Sequence, residues 1–191
     1  VALHHHVPCL HCHACRHHAF AQCAQYKRTG ITAGFEPAGG GYAEYVRVMS
    51  FVLPGVVKLP ARNSFLEGAM LEPVNTVLKA VKRLALLKGD VVLVAGQGPI
   101  GLMFTRLLAL RKMKVLATDL LAPRLKLARE FGAALACSPQ APSRPHRPKG
   151  RLGKAKDLAG VVEKLTAGRG LDAAVIAVPS DAMIQEAQAL V

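Results

Sequence analysis

The 191-residue chain reads as an α/β protein: a doubly wound parallel sheet preceded by a smaller, β-rich, metal-organised segment. Three observations carry this reading. Short aliphatic runs alternate with amphipathic stretches from residue 91 onward, the pattern of strands joined by crossover helices. The sequence is 51% hydrophobic but only 5% aromatic and has no Trp, so its core is aliphatic, which suits parallel strands covered on both faces. Four of its five cysteines fall within residues 9–23, a density that calls for a metal.

The elements follow in order. Residues 1–28 are rich in Cys and His and poor in strand or helix signals, so they read as a metal-organised loop. Residues 30–41 hold five glycines and one proline and read as a turn-rich link. Tyr42–Met49 and Phe51–Leu59 read as strands, the second interrupted by Pro54 and Gly55. Asn63 or Ser64 can cap a short helix through Met70. Pro73 can open the next helix, in which Val74, Val77, Leu78, Val81, Leu84 and Ala85 recur at helical spacing and which Lys88-Gly89-Asp90 ends.

The alternation then begins. Val91–Ala95, Val115–Thr118, Ala134–Cys137 and Ala173–Val178 read as strands. Ile100–Arg111, Pro123–Phe131, Leu158–Ala167 and the segment from Asp181 read as helices. Residues 138–156 break the rhythm with four prolines, six basic residues and no acid, and read as an inserted surface loop. The domain boundary is expected near residue 73, giving segments 1–73 and 74–191.

Charge and composition narrow the function. The net charge is +13, of which residues 138–156 supply +6, so the remainder is an ordinary solvated surface. No basic helix with interleaved aromatics appears, which disfavours a nucleic-acid-binding role. No apolar run is long enough for a membrane helix, and no signal peptide is visible, so a reducing cytoplasm is expected. The first residue is not Met and the last fall inside an apolar pattern, so both ends read as cut. His4–His6 lead directly into the cysteines and are too few for a purification tag.

Cys9, Cys12, Cys15 and Cys23 form C-x2-C-x2-C-x7-C. Four thiolates can enclose one ion tetrahedrally, and a closed sulfur shell leaves no position for chemistry, so structural zinc is expected. An iron-sulfur cluster would favour a third gap of three and a following proline, whereas here the gap is seven and Ala24 follows. His11, His13, His17 and His18 then remain as exposed loop histidines, and Cys137 as a small buried residue.

Val91–Ala95 runs into Gly96-Gln97-Gly98-Pro99-Ile100-Gly101, a G-x-G-x-x-G placed between a strand and a helix. In that context Gly96 permits the tight turn, Gly98 lets the backbone approach a pyrophosphate, and Gly101 allows close helix–strand packing. The helix that starts at Pro99 and Ile100 presents the free N–H groups and positive potential of a helix N-terminus to phosphate, although Pro99 itself has no N–H. Asp119 ends the second strand, where a carboxylate can bind the adenosine ribose and repel a 2′-phosphate, so NAD is favoured over NADP. The competing reading of Asp119 is a cap for the following helix. Arg124 can pack against adenine or remain solvated.

With the cysteine lobe, the glycine link, Leu71-Glu72-Pro73 and the Gly96–Gly101 fingerprint in hand, the chain resembles the zinc-dependent medium-chain dehydrogenases, in the branch of sorbitol, threonine and related polyol or amino-alcohol dehydrogenases. The resemblance spans nearly everything but residues 138–156. It implies a partial GroES-like β domain with a structural-zinc lobe, then an incomplete NAD-binding Rossmann domain. It places Cys9, Cys12, Cys15 and Cys23 on the structural zinc and Glu72 at or beside a catalytic zinc. It also places Thr76 and Val178 near the nicotinamide, and Asp119 and Arg124 at the adenosine ribose. For Thr76 and Val178 plain packing is an equal alternative. The family's other catalytic-zinc ligands, and its Gly-His-Glu motif, have no match here.

The function implied is hydride transfer from a secondary alcohol or polyol to NAD, by a protein that forms homo-oligomers when whole, the chain by itself being inactive. The alternative is a truncated, non-catalytic chain that keeps zinc and NAD. A basic nucleic-acid-binding zinc module ranks last.

Overall fold

The computed structural model describes residues 1–4, 6–28, 43–139 and 158–191. His5, the glycine-rich link with Tyr42, and residues 140–156 of the expected insert lie outside the described residues. The chain divides into two compact units, Val1–Leu71 and Glu72–Val191.

In the first unit, strand β1 (Ala2–Leu3) pairs antiparallel with β2 (Val56–Val57), Ala2 opposite Val57. The His4 N–H extends the pairing to the Gly55 carbonyl at 2.9 Å. Helix α1 (His13–Arg16) is a single turn, and short 3-10 turns follow at Phe20–Gln22 and Tyr26–Arg28. His6 stacks on Tyr26, ring centroids 5.0 Å apart, and donates from Nδ1 to the Tyr26 carbonyl at 2.8 Å. His4 and His6 are therefore part of the folded unit.

Two strand expectations are corrected here. Residues 43–49 form no strand, and Tyr45 is 91% exposed. No described strand pairs with this stretch, and alternation alone does not make a strand without a partner ladder. Within Phe51–Leu59, Ser50–Gly55 is a 3-10 helix and only Val56–Val57 is extended. Pro54 lacks the N–H that a ladder needs, and turns instead. The described part of this unit is thus poorer in strand than its sequence suggests.

Helix α2 (Phe65–Ala69) opens on a capping box. The Ser64 hydroxyl accepts from the Glu67 N–H at 3.2 Å, and the Glu67 carboxylate accepts from the Ser64 N–H at 2.7 Å. Both end groups are satisfied reciprocally. The Ser64 N–H, followed by the Ser64 hydroxyl and Asn63, holds the Glu67 carboxyl below its ordinary range.

The second unit opens with α3 (Leu71–Arg83), whose Val77 and Val81 are buried. Pro73 sits in its first turn, where a missing N–H costs nothing. The helix closes five residues before Lys88, because Ala85 adopts a left-handed φ of 50°. The remaining elements match their sequence-based bounds to within two residues. They are β3 (Val91–Ala95), α4 (Pro99–Leu110), β4 (Lys114–Thr118), α5 (Ala122–Glu130), β5 (Leu135–Cys137), α6 (Leu158–Thr166), β6 (Ala173–Ile176) and α7 (Asp181–Gln188).

The four strands form one parallel sheet in the order β5-β4-β3-β6. Consecutive side chains of β3 divide between its faces, as a strand's period of two requires. Val92 and Val94 pack with Val77, Val81, Phe104 and Leu108 of α3 and α4. Val91 and Leu93 pack with Leu158, Val162 and Ala187 of α6 and α7. Helices on both faces explain why β3 is buried along its whole length. The strand order reverses direction at β3, so chain segments leaving β3 and β6 part to opposite faces and open a crevice. Among the described residues no helix is long and apolar enough to cross a membrane.

An ion pair fastens β6 to β3. Arg169 binds Asp172 through two nitrogens, one at 3.0 Å, and Asp172 Oδ2 accepts from the Val91 N–H at 2.7 Å. The Arg169 guanidinium, with the Val91 N–H, holds the Asp172 carboxyl below its ordinary range against the cost of burial. A folded value below the unfolded one means stability that is present above about pH 4 and is lost as the pH falls through the folded value. Asp172→Ala is expected to cost about 1–3 kcal/mol at pH 7, a hydrogen-bonded charge being removed. Urea unfolding of both proteins checks this, and the gap between them should close below pH 4.

Candidate functional sites

The cysteine cluster is built by tight local turns. Cys12 precedes α1, Cys15 lies within it, and Cys23 follows the 3-10 turn. The four sulfurs all lie within 4.8 Å of one another, with Sγ–Sγ distances of 3.5 Å for Cys12–Cys15 and 3.9 Å for Cys9–Cys15. Sulfurs bound tetrahedrally to one zinc at about 2.3 Å would be about 3.8 Å apart. The donor set therefore fits a single soft ion, and no disulfide links these cysteines.

Backbone N–H groups point at the sulfurs. The Cys9 N–H donates to Cys23 Sγ and the Cys12 N–H to Cys9 Sγ, each at 3.4 Å. The Cys9 N–H, then that of Tyr26, lowers the Cys23 thiol to about 6. The N–H groups of His11 and Cys12 lower Cys9. Burial pushes Cys15 up to about 12. The histidines of the loop stay outside the cluster. His11, His13, His17 and His18 are exposed, and His11 donates to the Cys9 carbonyl at 2.8 Å. Cys137 is buried at the end of β5, as expected.

The second site is the crevice at the carboxyl ends of β3, β4 and β6, a cavity of about 500 Å³. Gly96 turns the chain out of β3 with φ +91°, a conformation open to glycine. A Cβ there would lie 2.4 Å from Val178 Cγ1. A Cβ on Gly101 would lie 1.8 Å from the Gly96 carbonyl oxygen, so only glycine lets α4 begin so close to the turn. Gly98 is the N-cap of α4 and differs from both, since a Cβ on it meets nothing within 4 Å. Pro99 takes the first helical position and Ile100 is 45% exposed. The open space at Gly98 borders a helix start with unbonded N–H groups, a setting that suits an anion.

Asp119 and Arg124 both line the cavity. The Asp119 carboxylate is buried, with Oδ2 accepting from the Gln97 N–H at 2.7 Å and Oδ1 from the Leu121 N–H at 2.8 Å. Arg124 Nη1 stands 3.6 Å from Oδ2 with its side chain about half exposed. Asp119 thus holds the N–H of Leu121, the residue that precedes α5, while also lining the crevice. Val178 follows β6 and lines the cavity. Glu72 and Thr76 are brought together, the Thr76 hydroxyl donating to Glu72 Oε1 at 2.9 Å, but neither lines this cavity. Among the described residues the four cysteines are the one cluster of three or more ligand-type side chains.

Sequence reasoning missed Gln97, Thr105, Ser180 and Met183. Ser180 and Met183 line the crevice, and the Ser180 hydroxyl caps α7 by accepting from the Met183 N–H. Gln97 and Thr105 are fully buried beneath the glycine turn. An amide side chain inside an aliphatic strand–turn was the signal available for Gln97.

No protein-family model matches the sequence. Individual proteins do. "Probable D-xylulose reductase A" of Neosartorya fischeri is 30% identical over 136 residues, 70% of this chain and 36% of that protein. Sorbitol dehydrogenase of Ovis aries is 46% identical over 79 residues, 40% of this chain and 22% of that protein. The solved alcohol dehydrogenase of Thermus sp. ATN1 superposes with a TM-score of 0.72 at 25% identity, over 100% of this chain and 52% of that one. The chain thus spans about half of that structure and 36% or less of these two curated relatives. Motifs, fold and kinship together define a medium-chain dehydrogenase/reductase, and the chain belongs to that family. Within the family, its curated kin put it on the sorbitol dehydrogenase-like branch.

Proposed function

We propose that the chain is the zinc-lobe and NAD-binding part of an alcohol or polyol dehydrogenase, which moves hydride between a secondary alcohol and NAD in the cytoplasm. The observation that carries this is the glycine turn. Its first and third glycines are sterically obligatory, and its second opens on empty space at a helix start. A backbone so shaped is suited to a diphosphate. When bound, NAD supplies the hydride acceptor, and zinc in a closed four-sulfur shell supplies a cross-link without Lewis-acid chemistry.

The chain's own residues bind and orient. Gly98, Pro99 and Ile100 receive the pyrophosphate at the start of α4. Asp119 accepts from the ribose hydroxyls, with Arg124 beside it, and Val178 flanks the nicotinamide. Cys9, Cys12, Cys15 and Cys23 hold the structural zinc. Thr76 stands near the nicotinamide, and Glu72 near the catalytic metal of the complete enzyme, where its carboxylate helps to set the charge. The relatives' names, sorbitol dehydrogenase and D-xylulose reductase, support a polyol and its ketose as the substrate pair.

A second reading, a chain that keeps zinc and NAD without catalysis, is favoured by one observation. Among the described residues Glu72 is joined by no set of metal ligands. One carboxylate does not hold a catalytic zinc. The purified 191-residue chain is therefore expected to enhance NADH fluorescence on titration, yet to turn over neither sorbitol with NAD nor D-xylulose with NADH. Absence of NADH binding overturns the dehydrogenase reading, and turnover overturns the inactivity of the isolated chain.

A further inference from the structure

We propose that Thr105 and Gln97 are positioning residues that set the preference for an unphosphorylated ribose by locking Asp119; the inference rests on the dinucleotide reading above. Gln97 occupies the second place of the glycine motif, yet its side chain points into the protein and is fully buried. Its Nε2 donates to the Val94 carbonyl at 2.9 Å, and its Oε1 accepts from the Thr105 hydroxyl at 2.9 Å. Thr105 is itself fully buried, on the inner side of α4. The two side chains tie the glycine turn to the end of β3 below it and to the helix it feeds.

That anchorage fixes a peptide with a second task. The Gln97 N–H donates to Asp119 Oδ2 at 2.7 Å, while the Leu121 N–H holds Oδ1 at 2.8 Å. With one backbone donor on each oxygen, the carboxylate cannot rotate. A carboxylate offers about four acceptor positions, so each oxygen keeps one more for a donor in the crevice. Two oxygens held side by side match two neighbouring hydroxyls. The same fixed charge repels a phosphate in place of one of them. If the Gln97 peptide is free to tilt, Oδ2 loses its donor and the carboxylate swings, which weakens the diol contact and relaxes the repulsion together.

The test compares NADH and NADPH dissociation constants for the full chain by fluorescence titration, with thermal unfolding measured alongside. Thr105→Val keeps the shape and removes the hydroxyl. It is expected to weaken NADH about tenfold and NADPH less than about threefold, so the preference for NADH falls. Thr105→Ser restores the hydroxyl and should restore the preference. Asp172→Asn, outside the crevice, serves as a destabilised control that keeps it. If Thr105→Val lowers the unfolding temperature but leaves the NADH/NADPH ratio at the wild-type value, Thr105 only packs and the proposal is overturned. Should Thr105→Val not fold, Gln97→Met removes both side-chain hydrogen bonds at similar volume and must lower the ratio in the same way. A wild-type chain that binds neither nucleotide instead overturns the dinucleotide reading itself.

Discussion

Chelation of the purified protein will release about one zinc ion per chain and unmask four thiols that were unreactive before it. The expectation rests on how little else holds the lobe. Between Cys9 and Cys23 only Cys15 and Cys23 are buried, α1 is four residues long, and no side chain caps it. Such a segment cannot offset its own ordering entropy by burial. Zinc binding to a set of this kind contributes on the order of 10–16 kcal/mol at neutral pH, enough to make the lobe's fold metal-dependent. Far-ultraviolet dichroism should register the loss, and so should hydrogen exchange across residues 6–28. The NADH site should survive, because the crevice residues all belong to the second unit.

The pH dependence follows from the sulfurs. Cys23, at about 6, is already a thiolate at pH 7, and Cys9 is shifted the same way. Cys15, at about 12, is protonated in the metal-free lobe. Zinc needs thiolates, so its uptake at pH 7 must expel the Cys15 proton, and affinity should rise with pH. Calorimetry in buffers of different ionisation enthalpy counts the protons released, that of Cys15 among them. Iron in place of zinc, or thiols that react alike before and after chelation, would contradict the reading of the lobe.

The two units differ in how far their sequences disclose them. In the second, each strand is a short, mainly aliphatic run and most of the helices are amphipathic, so local pattern and tertiary burial agree. Val91 to Val94 are all buried because helices cover both faces, and that is legible as an unbroken aliphatic run. The first unit is held by spacing between cysteines and by single contacts such as His6 on Tyr26, which carry no period. Alternation at 43–49 therefore suggested a strand where, among the described residues, no partner supplies a ladder. The ligand set and the glycine turn were legible, being motifs whose spacing is the chemistry. Gln97 and Thr105 were not, because they meet across eight residues and act through a backbone N–H. The early end of α3 was hidden too, since Ala85 gives no sign of the left-handed turn it makes.

The three glycines of the turn should separate when each is replaced. Gly101→Ala places a methyl carbon 1.8 Å from the Gly96 carbonyl oxygen, a backbone atom that cannot step aside. α4 must then withdraw from β3, and Phe104 and Leu108 with it, both of which are buried in the sheet's core. A loss of about 3 kcal/mol or more is expected, as for other overpacked core positions, and the variant should unfold at markedly lower urea or not accumulate. Gly98→Ala is the opposite case. Its Cβ meets nothing, and its φ of −71° is available to any residue, so stability should be unchanged to within about 0.5 kcal/mol. The methyl group does, however, occupy the space through which a pyrophosphate would approach the backbone. NADH affinity should fall at least tenfold, and Gly98→Val should abolish it while the protein stays folded. Unfolding curves and NADH titrations of the two variants form one test. Loss of binding without loss of stability at residue 98, beside loss of both at residue 101, is the signature of a backbone shaped for phosphate. Full NADH affinity in folded Gly98→Val would mean that the open space at this turn serves no nucleotide.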